Sequence, residues 1–512
     1  MIKKIFFSLI FAAPIVTGAQ TATIKIDVSR VIADIDPHIY GVFMEPIHLN
    51  GKRLGLPDSL EFNTLYGTLY NPSSPLADEN GFRKDYIDAM RELKVNNIRW
   101  PGGNFLMAYN WKDGIGPKAQ RPVRINMAWG GLETNQVGTD EWLALNKSIG
   151  SENVICVNLG LGTIADAAYW VEYCNYKSGT QYSELRKING HAQPYNVKLW
   201  GLGNEVDGLP WELGHKNADD YVETAREAAK AMKAVDSSIR FVASGSSYYE
   251  PSGKWVEWNN RVLAGIGDKI DYLSIHRYWE GDGPGYYNSM GGGAMDFEEK
   301  INLTAGQIAS ARAMKNFKNP IYIAVDEWGA FGRNFMNVLP VAQCLNSFIR
   351  HANVVKLANF TMLTSLLSSD AKKGTFKSSL FYTFKLFSNN CLGKSVDAYV
   401  DCDTFSTVKY TNIPYLDVTA VYAKESNTVF INVVNRHQDK TIPATIINNG
   451  GGFSGKAEAS IINVDDIKAP FEFENQEQYK PIKKTVQIND NKLLYSFPPH
   501  SFTQIKVHAG NK

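Results

Sequence analysis

Trp200-Gly201-Leu202-Gly203-Asn204-Glu205-Val206-Asp207-Gly208 reads as the end of a buried strand. Val197 and Leu199 form an apolar approach, small residues follow, and Asn204 and Glu205 stand side by side where the strand stops. A carboxyl group at the mouth of a buried strand is costly to place unless it is partnered or used. The same rhythm recurs on both sides. Residues 40–44 are apolar and end at Glu45; Asn97-Ile98-Arg99-Trp100 is closed by Pro101-Gly102-Gly103-Asn104; residues 272–275 end at His276, with Tyr278 just beyond; residues 321–325 end at Asp326-Glu327-Trp328. Further strands are predicted over 153–159, 240–243 and 354–363, the last with Asn359 inside it.

Helical spacing fills the intervals. Tyr86, Met90 and Leu93 share one face; Val222, Ala225, Ala229 and Met232 form a stripe behind Asn217, a candidate cap; further helices are expected from about residue 166 and around 381–387. Eight strand–helix units between residues 35 and 390 predict an α/β fold, a (β/α)8 TIM barrel, whose strand ends converge on one face. A doubly wound sheet is the competing fold. It would not bring these ends around one mouth, and no nucleotide fingerprint follows the first strand.

Outside the barrel the period changes to two. Residues 416–422, 429–434, 493–495 and 503–507 predict a C-terminal antiparallel β-sandwich over 391–512. The alternating stretch 23–28 lies in a segment, 20–34, expected to join it. Residues 1–19 read as a signal peptide: a basic start at Lys3-Lys4, an apolar run over 5–16, then Thr17-Gly18-Ala19. This predicts a periplasmic or secreted protein, and no later stretch has the length and apolarity of a membrane span.

A formal net charge of +1 gives no support for a nucleic-acid or membrane-surface partner. The 11 Trp and 25 Tyr suit either large cores or stacking on sugar faces. Five scattered cysteines form neither a disulfide scaffold nor a metal pattern, so no metal is predicted; Cys391 and Cys402 either pair or stand as separate thiols. Gly450-Gly451-Gly452-Phe453-Ser454-Gly455-Lys456 has the spacing of a phosphate loop, but Ala457 follows and the setting is all β, so it reads as a turn.

Two carboxyls at strand ends four and seven suggest glycosidic cleavage, in which one acid protonates the leaving oxygen and the other attacks or activates water. The bland reading of a lone strand-end Glu is a solvated loop residue; Glu205 and Glu327 together, with Asn204 alongside, favour chemistry. Glu205 is the candidate acid/base, with a pKa expected to be raised by burial and by Glu327; Glu327 is the candidate nucleophile, its pKa held down by Arg99 and Tyr278. Asn204 is placed to donate to a sugar hydroxyl. Arg99 has a purely structural ion pair as its alternative, His276 a core role, and Glu45 a loop cap. Trp211 and Trp328 either fill core or stack on sugar.

These residues resemble the α-L-arabinofuranosidases of glycoside hydrolase family 51, in clan A. The motifs are Ile39-Tyr40-Gly41-Val42-Phe43-Met44-Glu45, Arg99-Trp100-Pro101-Gly102-Gly103-Asn104-Phe105, Gly203-Asn204-Glu205-Val206-Asp207-Gly208, Pro210-Trp211-Glu212-Leu213-Gly214-His215-Lys216 and Asp326-Glu327-Trp328. Tyr109-Asn110-Trp111-Lys112-Asp113-Gly114-Ile115-Gly116-Pro117 belongs with them. The resemblance implies a retaining exo-enzyme releasing terminal arabinofuranose from arabinan, arabinoxylan or their oligosaccharides, with no cofactor and often as an oligomer. It implies Glu205 as acid/base, Glu327 as nucleophile, Arg99 as its support, and Glu45, Asn104, Asn204 and Tyr278 holding the sugar; His276 and Trp211 complete the substrate-binding candidates. Pro46 after Glu45 and Phe376-Lys377-Ser378 depart from the family pattern, Ser378 replacing a sugar-binding Gln. Rival readings are another clan A glycosidase, such as an endoglucanase or β-xylosidase, and a non-catalytic carbohydrate-binding barrel.

Overall fold

The computed structural model describes residues 21–50, 61–248, 253–330, 334–370 and 373–510. The segment read as a signal peptide therefore lies outside the described residues.

Eight strands close into a parallel barrel in chain order: Gly41–Phe43, Asn97–Trp100, Glu152–Val157, Leu199–Leu202, Arg240–Ala243, Tyr272–Tyr278, Tyr322–Gly329 and Val355–Phe360. Leu199–Leu202 is buried at every position, because helices cover the outer face and neighbouring side chains fill the interior. Val154, Leu199, Val242, Tyr272, Ala324 and Leu357 form one apolar layer inside the barrel. They come from six successive strands and leave the opposite, C-terminal end for polar groups.

The helices follow from their sequences. Ala218–Val235 buries Val222, Ala225, Ala229 and Met232 and is capped by Asn217, whose side chain accepts from the Asp220 amide. Lys84–Glu92 buries Tyr86 and Met90, and Ser379–Asn390 closes the barrel region.

Two strands run further than expected. The sixth continues through His276 to Tyr278, and the seventh through Glu327 to Gly329. Register shifts between Ser274 and His276, and between Val325 and Trp328, let both strands stay paired while side chains are re-aimed. Glu327 thereby sits opposite His276.

Beyond the barrel lies a C-terminal β domain. Among the described residues nine of its strands are hydrogen-bonded in one order that returns on itself, with Thr404–Phe405 and Ile413–Pro414 forming a separate pair, where a sandwich was expected. Ala22–Asp34 completes it, pairing antiparallel with Lys394–Asp401 and parallel with Ile442–Asn448. Without this strand both neighbours would be edges. The glycine-rich segment forms a turn before Phe453–Ile462, closed by Asn448 Nδ2 donating to the Gly452 carbonyl at 2.7 Å.

All five cysteines are free thiols; buried Cys391 lies against Asn432 rather than bonding to Cys402. Among the described residues no helix is long and apolar enough to cross a membrane.

Candidate active site

The carboxyl-terminal end of the barrel holds a cleft of about 370 Å³ lined by Glu45, Asn104, Glu205, Trp211, Tyr278 and Glu327 among others. Clefts of about 490 and 670 Å³ elsewhere contain none of the candidate residues. Arg99, Asn204 and His276 are buried beneath these carboxylates.

Glu205 leaves the fourth strand with φ of 42°, in the left-handed region a non-glycine residue adopts only at some cost. The turn is closed by the Gly208 amide donating to the Glu205 carbonyl at 2.8 Å. It aims the carboxyl inward, where Oε1 lies 2.7 Å from His276 Nδ1. The His276 Nε2 is 3.3 Å from Asp326 Oδ1. Asp326 also accepts from the Ser274 hydroxyl.

Glu327 is held from two sides. Arg99 Nη1 donates to its Oε1 and the Tyr278 hydroxyl to its Oε2, each at 2.8 Å. Arg99 also pairs through Nε with Asp326 at 3.2 Å and donates from Nη2 to Asn204 Oδ1 at 2.6 Å. That last bond fixes the Asn204 amide, and among the described residues its Nδ2 has no hydrogen-bond partner. A buried donor with no partner is unusual and marks a place for a ligand oxygen.

Glu45 Oε1 accepts from the Phe105 amide and from Trp129 Nε1, both at 2.7 Å. Gly102 makes this approach possible: a Cβ there would fall 2.3 Å from the Glu45 Cβ, and its φ is 113°. Asn104 Oδ1 accepts from the Leu213 amide at 2.8 Å, tying the loop after the second strand to that after the fourth. Trp211 is 59% exposed at the rim, its ring 6.3 Å from that of Trp129. Trp328 is core, packed edge-on against Phe348 and Phe360.

The two carboxyls are shifted in the directions opposite to those expected. Burial alone would raise Glu205, but the hydrogen bond and charge of His276 hold it below the ordinary carboxylate value. Burial pushes Glu327 up despite His276, Arg99 and Tyr278. His276, wedged between Glu327, Asp326 and Glu205, is raised to about 10 against its burial. Its sixth-strand position, deeper than the strand end assigned from sequence, makes it the local counter-charge.

Glu205, His276 and Glu327 each place one ligating atom within 4.8 Å of the others. A cation is not required there, because Arg99 and protonated His276 already supply positive charge to both carboxylates.

Ser378 is not part of the cleft. It caps the helix Ser379–Asn390, its hydroxyl accepting from the Leu380 amide at 3.2 Å. Four residues of the site escaped the sequence reading: Asp326, Trp129, Glu212 and Tyr248. Asp326 carried a signal, an acid directly before Glu327 in a buried run. Trp129 and Tyr248 reach the cleft from loops whose course no periodicity reveals.

A family model described as alpha-L-arabinofuranosidase 1 domain matches residues 89–290, and another, alpha-L-arabinofuranosidase C-terminal domain, matches 326–501. The intracellular exo-alpha-(1->5)-L-arabinofuranosidase 1 of Bacillus subtilis is 33% identical, over 95% of this chain and 99% of that protein. The crystal structure of an alpha-L-arabinofuranosidase from Thermotoga maritima, an arabinose complex, superposes with TM-score 0.84 at 32% identity, covering 95% of this chain and 100% of that one. A family 51 alpha-L-arabinofuranosidase from Bifidobacterium longum gives TM-score 0.87 at 27% identity, over 95% and 99% of the two chains. These relatives overturn the expected periplasmic or secreted location: the Bacillus protein and two further bacterial relatives, at 35% and 33% identity, are named intracellular. A basic start and a short apolar run are too generic a pattern to outweigh them.

Proposed function

Since the chain belongs to the α-L-arabinofuranosidases of glycoside hydrolase family 51 and is a glycoside hydrolase, we propose that Glu205 and Glu327 are its catalytic pair. The observation that carries this is their separation. Carboxylate oxygens of the two lie within 4.8 Å, near the roughly 5–5.5 Å of retaining enzymes and short of the roughly 6.5–9.5 Å that leaves room for water between the pair.

Glu327 attacks the anomeric carbon while Glu205 protonates the departing oxygen, giving a covalent arabinosyl ester; Glu205 then takes a proton from the water that cleaves it. Arg99 and Tyr278 orient the Glu327 oxygens. Asn204 Nδ2 is the donor for the sugar 2-hydroxyl, a role supported by its lack of any other partner among the described residues. Glu45 and Asn104 hold further hydroxyls, His276 holds Glu205, and Trp211 stacks on the unit beyond the scissile bond. The substrate proposed is the non-reducing end of α-(1→5)-linked arabino-oligosaccharides, after the name of the Bacillus relative.

The same proposal takes residues 35–390 as the catalytic barrel and 391–512 with 20–34 as the β domain. The β domain is taken as a sandwich flattened around the enclosed cluster of Ile24, Ile431, Ala459 and Ile505. An oligomeric assembly is included on the family resemblance.

Azide tests the roles. With Glu205→Ala, azide should attack the ester from the open face and yield the α-arabinofuranosyl azide. With Glu327→Ala, it should enter from the nucleophile's side and yield the β anomer. The opposite pairing of variant and anomer would reject the assignment.

A further inference from the structure

The fifth and sixth strands part early. Their parallel ladder pairs only Val242 with Tyr272 and Ala243 with Leu273. Three residues further on, the His276 amide donates to the Ser246 carbonyl at 3.1 Å. Buried carbonyls beyond the end of a ladder need donors from elsewhere. Lys300 supplies them. It lies on the helix Gly293–Lys315, is fully buried, and does not border the cleft. Its Nζ donates to the His276 carbonyl at 2.9 Å and to the Ser246 carbonyl at 3.2 Å. The centre of the Trp255 ring lies 5.6 Å from the same nitrogen.

Both arms of this bridge lead to Glu205. The residue at one arm, His276, carries its ring Nδ1 to 2.7 Å from Glu205 Oε1. Next to the other arm, Ser247 donates to Asp207 from its amide at 2.9 Å and from its hydroxyl at 2.5 Å. Asp207 belongs to the turn that Glu205 opens, closed by the Gly208 amide. Burial lowers the Lys300 pKa to about 7; the charges of Asp207 and Glu205 oppose that shift and Arg277 adds to it. The bridge does not depend on the outcome, because a neutral amine still has two N–H groups for the two carbonyls.

We propose that Lys300 is a positioning residue for proton transfer by Glu205: by bridging the Ser246 and His276 carbonyls it fixes the His276 ring and the Glu205 turn relative to each other. Without the bridge the fifth and sixth strands are free to separate beyond Ala243 and Leu273, and Glu205 loses the geometry in which it meets the glycosidic oxygen. The sugar-binding side chains and Glu327 keep their own supports in Arg99, Tyr278 and the Phe105 amide. The loss therefore falls on protonation of the leaving group.

This role rests on Glu205 being the acid/base. Lys300→Met keeps the length of the side chain and removes its donors. A catalytic group misplaced by about 1 Å costs up to roughly a hundredfold. On α-(1→5)-arabinobiose, whose leaving alcohol needs a proton, kcat/KM should fall about ten- to a hundredfold. On an aryl arabinofuranoside with a good leaving group it should fall no more than about threefold. Poorer folding alone would scale both substrates by the same factor. Lys300→Gln keeps a donor on a shorter arm and should give a smaller difference between the substrates than the methionine variant; it also carries the comparison if that variant does not fold. Equal factors on the two substrates, or no loss on either, would overturn the role. Glu205→Ala separates the two levels: leaving-group-dependent loss there with equal losses in the Lys300 variants removes the positioning role alone, whereas equal loss on both substrates in Glu205→Ala removes the acid/base assignment and this role with it.

Discussion

Arg99 and Glu327 meet through an Nη1–Oε1 contact of 2.8 Å with both side chains buried. The same guanidinium touches Asp326 and Asn204, so one cation sets the position of three side chains under the cleft. Removing one partner of a buried ion pair leaves the other uncompensated and typically costs about 3–5 kcal/mol. Arg99→Ala should therefore lower the unfolding free energy by about that amount in urea titrations. Arg99→Lys keeps the charge but loses the fork that reaches three acceptors, and should recover part of the stability while kcat stays depressed. A lysine variant with unimpaired kcat would show that charge alone suffices.

Glu327 must be ionised to attack, and burial raises its pKa above the ordinary 4.5. Activity should then fall as pH drops through a value above 4.5, since protonation of the nucleophile, not of an exposed acid, sets the limb. The pH profile of kcat/KM checks this; an acid limb below 4.5 would contradict it.

What was legible in the sequence follows from topology. Counting strand ends places Glu205 and Glu327 in one mouth because a closed parallel barrel sends every strand terminus to the same face. Burial of the Ala218–Val235 stripe is fixed by its period. The direction of the Glu205 shift was not legible, because it depends on His276 lying 2.7 Å from Glu205, a contact created by register shifts in two strands. Trp129 was equally hidden. Its bond to Glu45 comes from a long loop, held in place by Asn126 Nδ2 donating to the Pro46 carbonyl at 2.9 Å. Ser378 stands where the family pattern has a sugar-binding Gln, and the structure adds what the sequence does not show: its hydroxyl is spent on a helix cap away from the cleft.

Trp129 Nε1 donates to Glu45 Oε1, and burial with the Glu327 charge pushes Glu45 up to about 8. Trp129→Phe keeps the ring and removes the donor. Below that pH the Glu45 carboxyl is mostly uncharged, and a neutral hydrogen bond contributes about 0.5–1.5 kcal/mol, so KM at neutral pH should rise roughly two- to tenfold with a smaller change in kcat. A fall confined to kcat would mean that Trp129 acts on the chemistry rather than on sugar binding.

His276 is raised to about 10 by Glu327, Asp326 and Glu205 despite its burial. A group whose folded pKa lies above its unfolded value stabilises fully below the unfolded value, about 6.5, and loses that contribution as pH rises through the folded one. Melting temperature should therefore decline between about pH 6.5 and 10. His276→Gln should flatten the decline while lowering stability at pH 6. An equally steep slope in the variant would assign the effect to other groups.

Asp417 of the β domain meets the barrel helix Val338–Arg350, accepting from Asn346 Nδ2 at 2.9 Å and Arg350 Nη2 at 2.5 Å, with Arg436 Nη2 at 3.3 Å. Arg350 also donates to Glu298 at 2.7 Å. Burial opposes ionisation of Glu298, but Arg350 and His351 hold it down to about 2. A depressed carboxylate stabilises above its unfolded value, near 4.5, and that contribution is lost as pH falls through about 2. Acid should thus loosen this interface, and Glu298→Gln should flatten stability over that window. Asp417→Ala leaves two guanidinium groups facing each other and should cost about 3–5 kcal/mol. Adding Arg436→Met, which removes the guanidinium whose acidic partner is Asp417 and leaves Arg350 on Glu298, should restore part of the loss, because the uncompensated charge and not the missing contact carries most of the penalty. Additive losses in the double variant would instead assign the cost to packing, and KM should stay constant throughout because none of these residues borders the cleft.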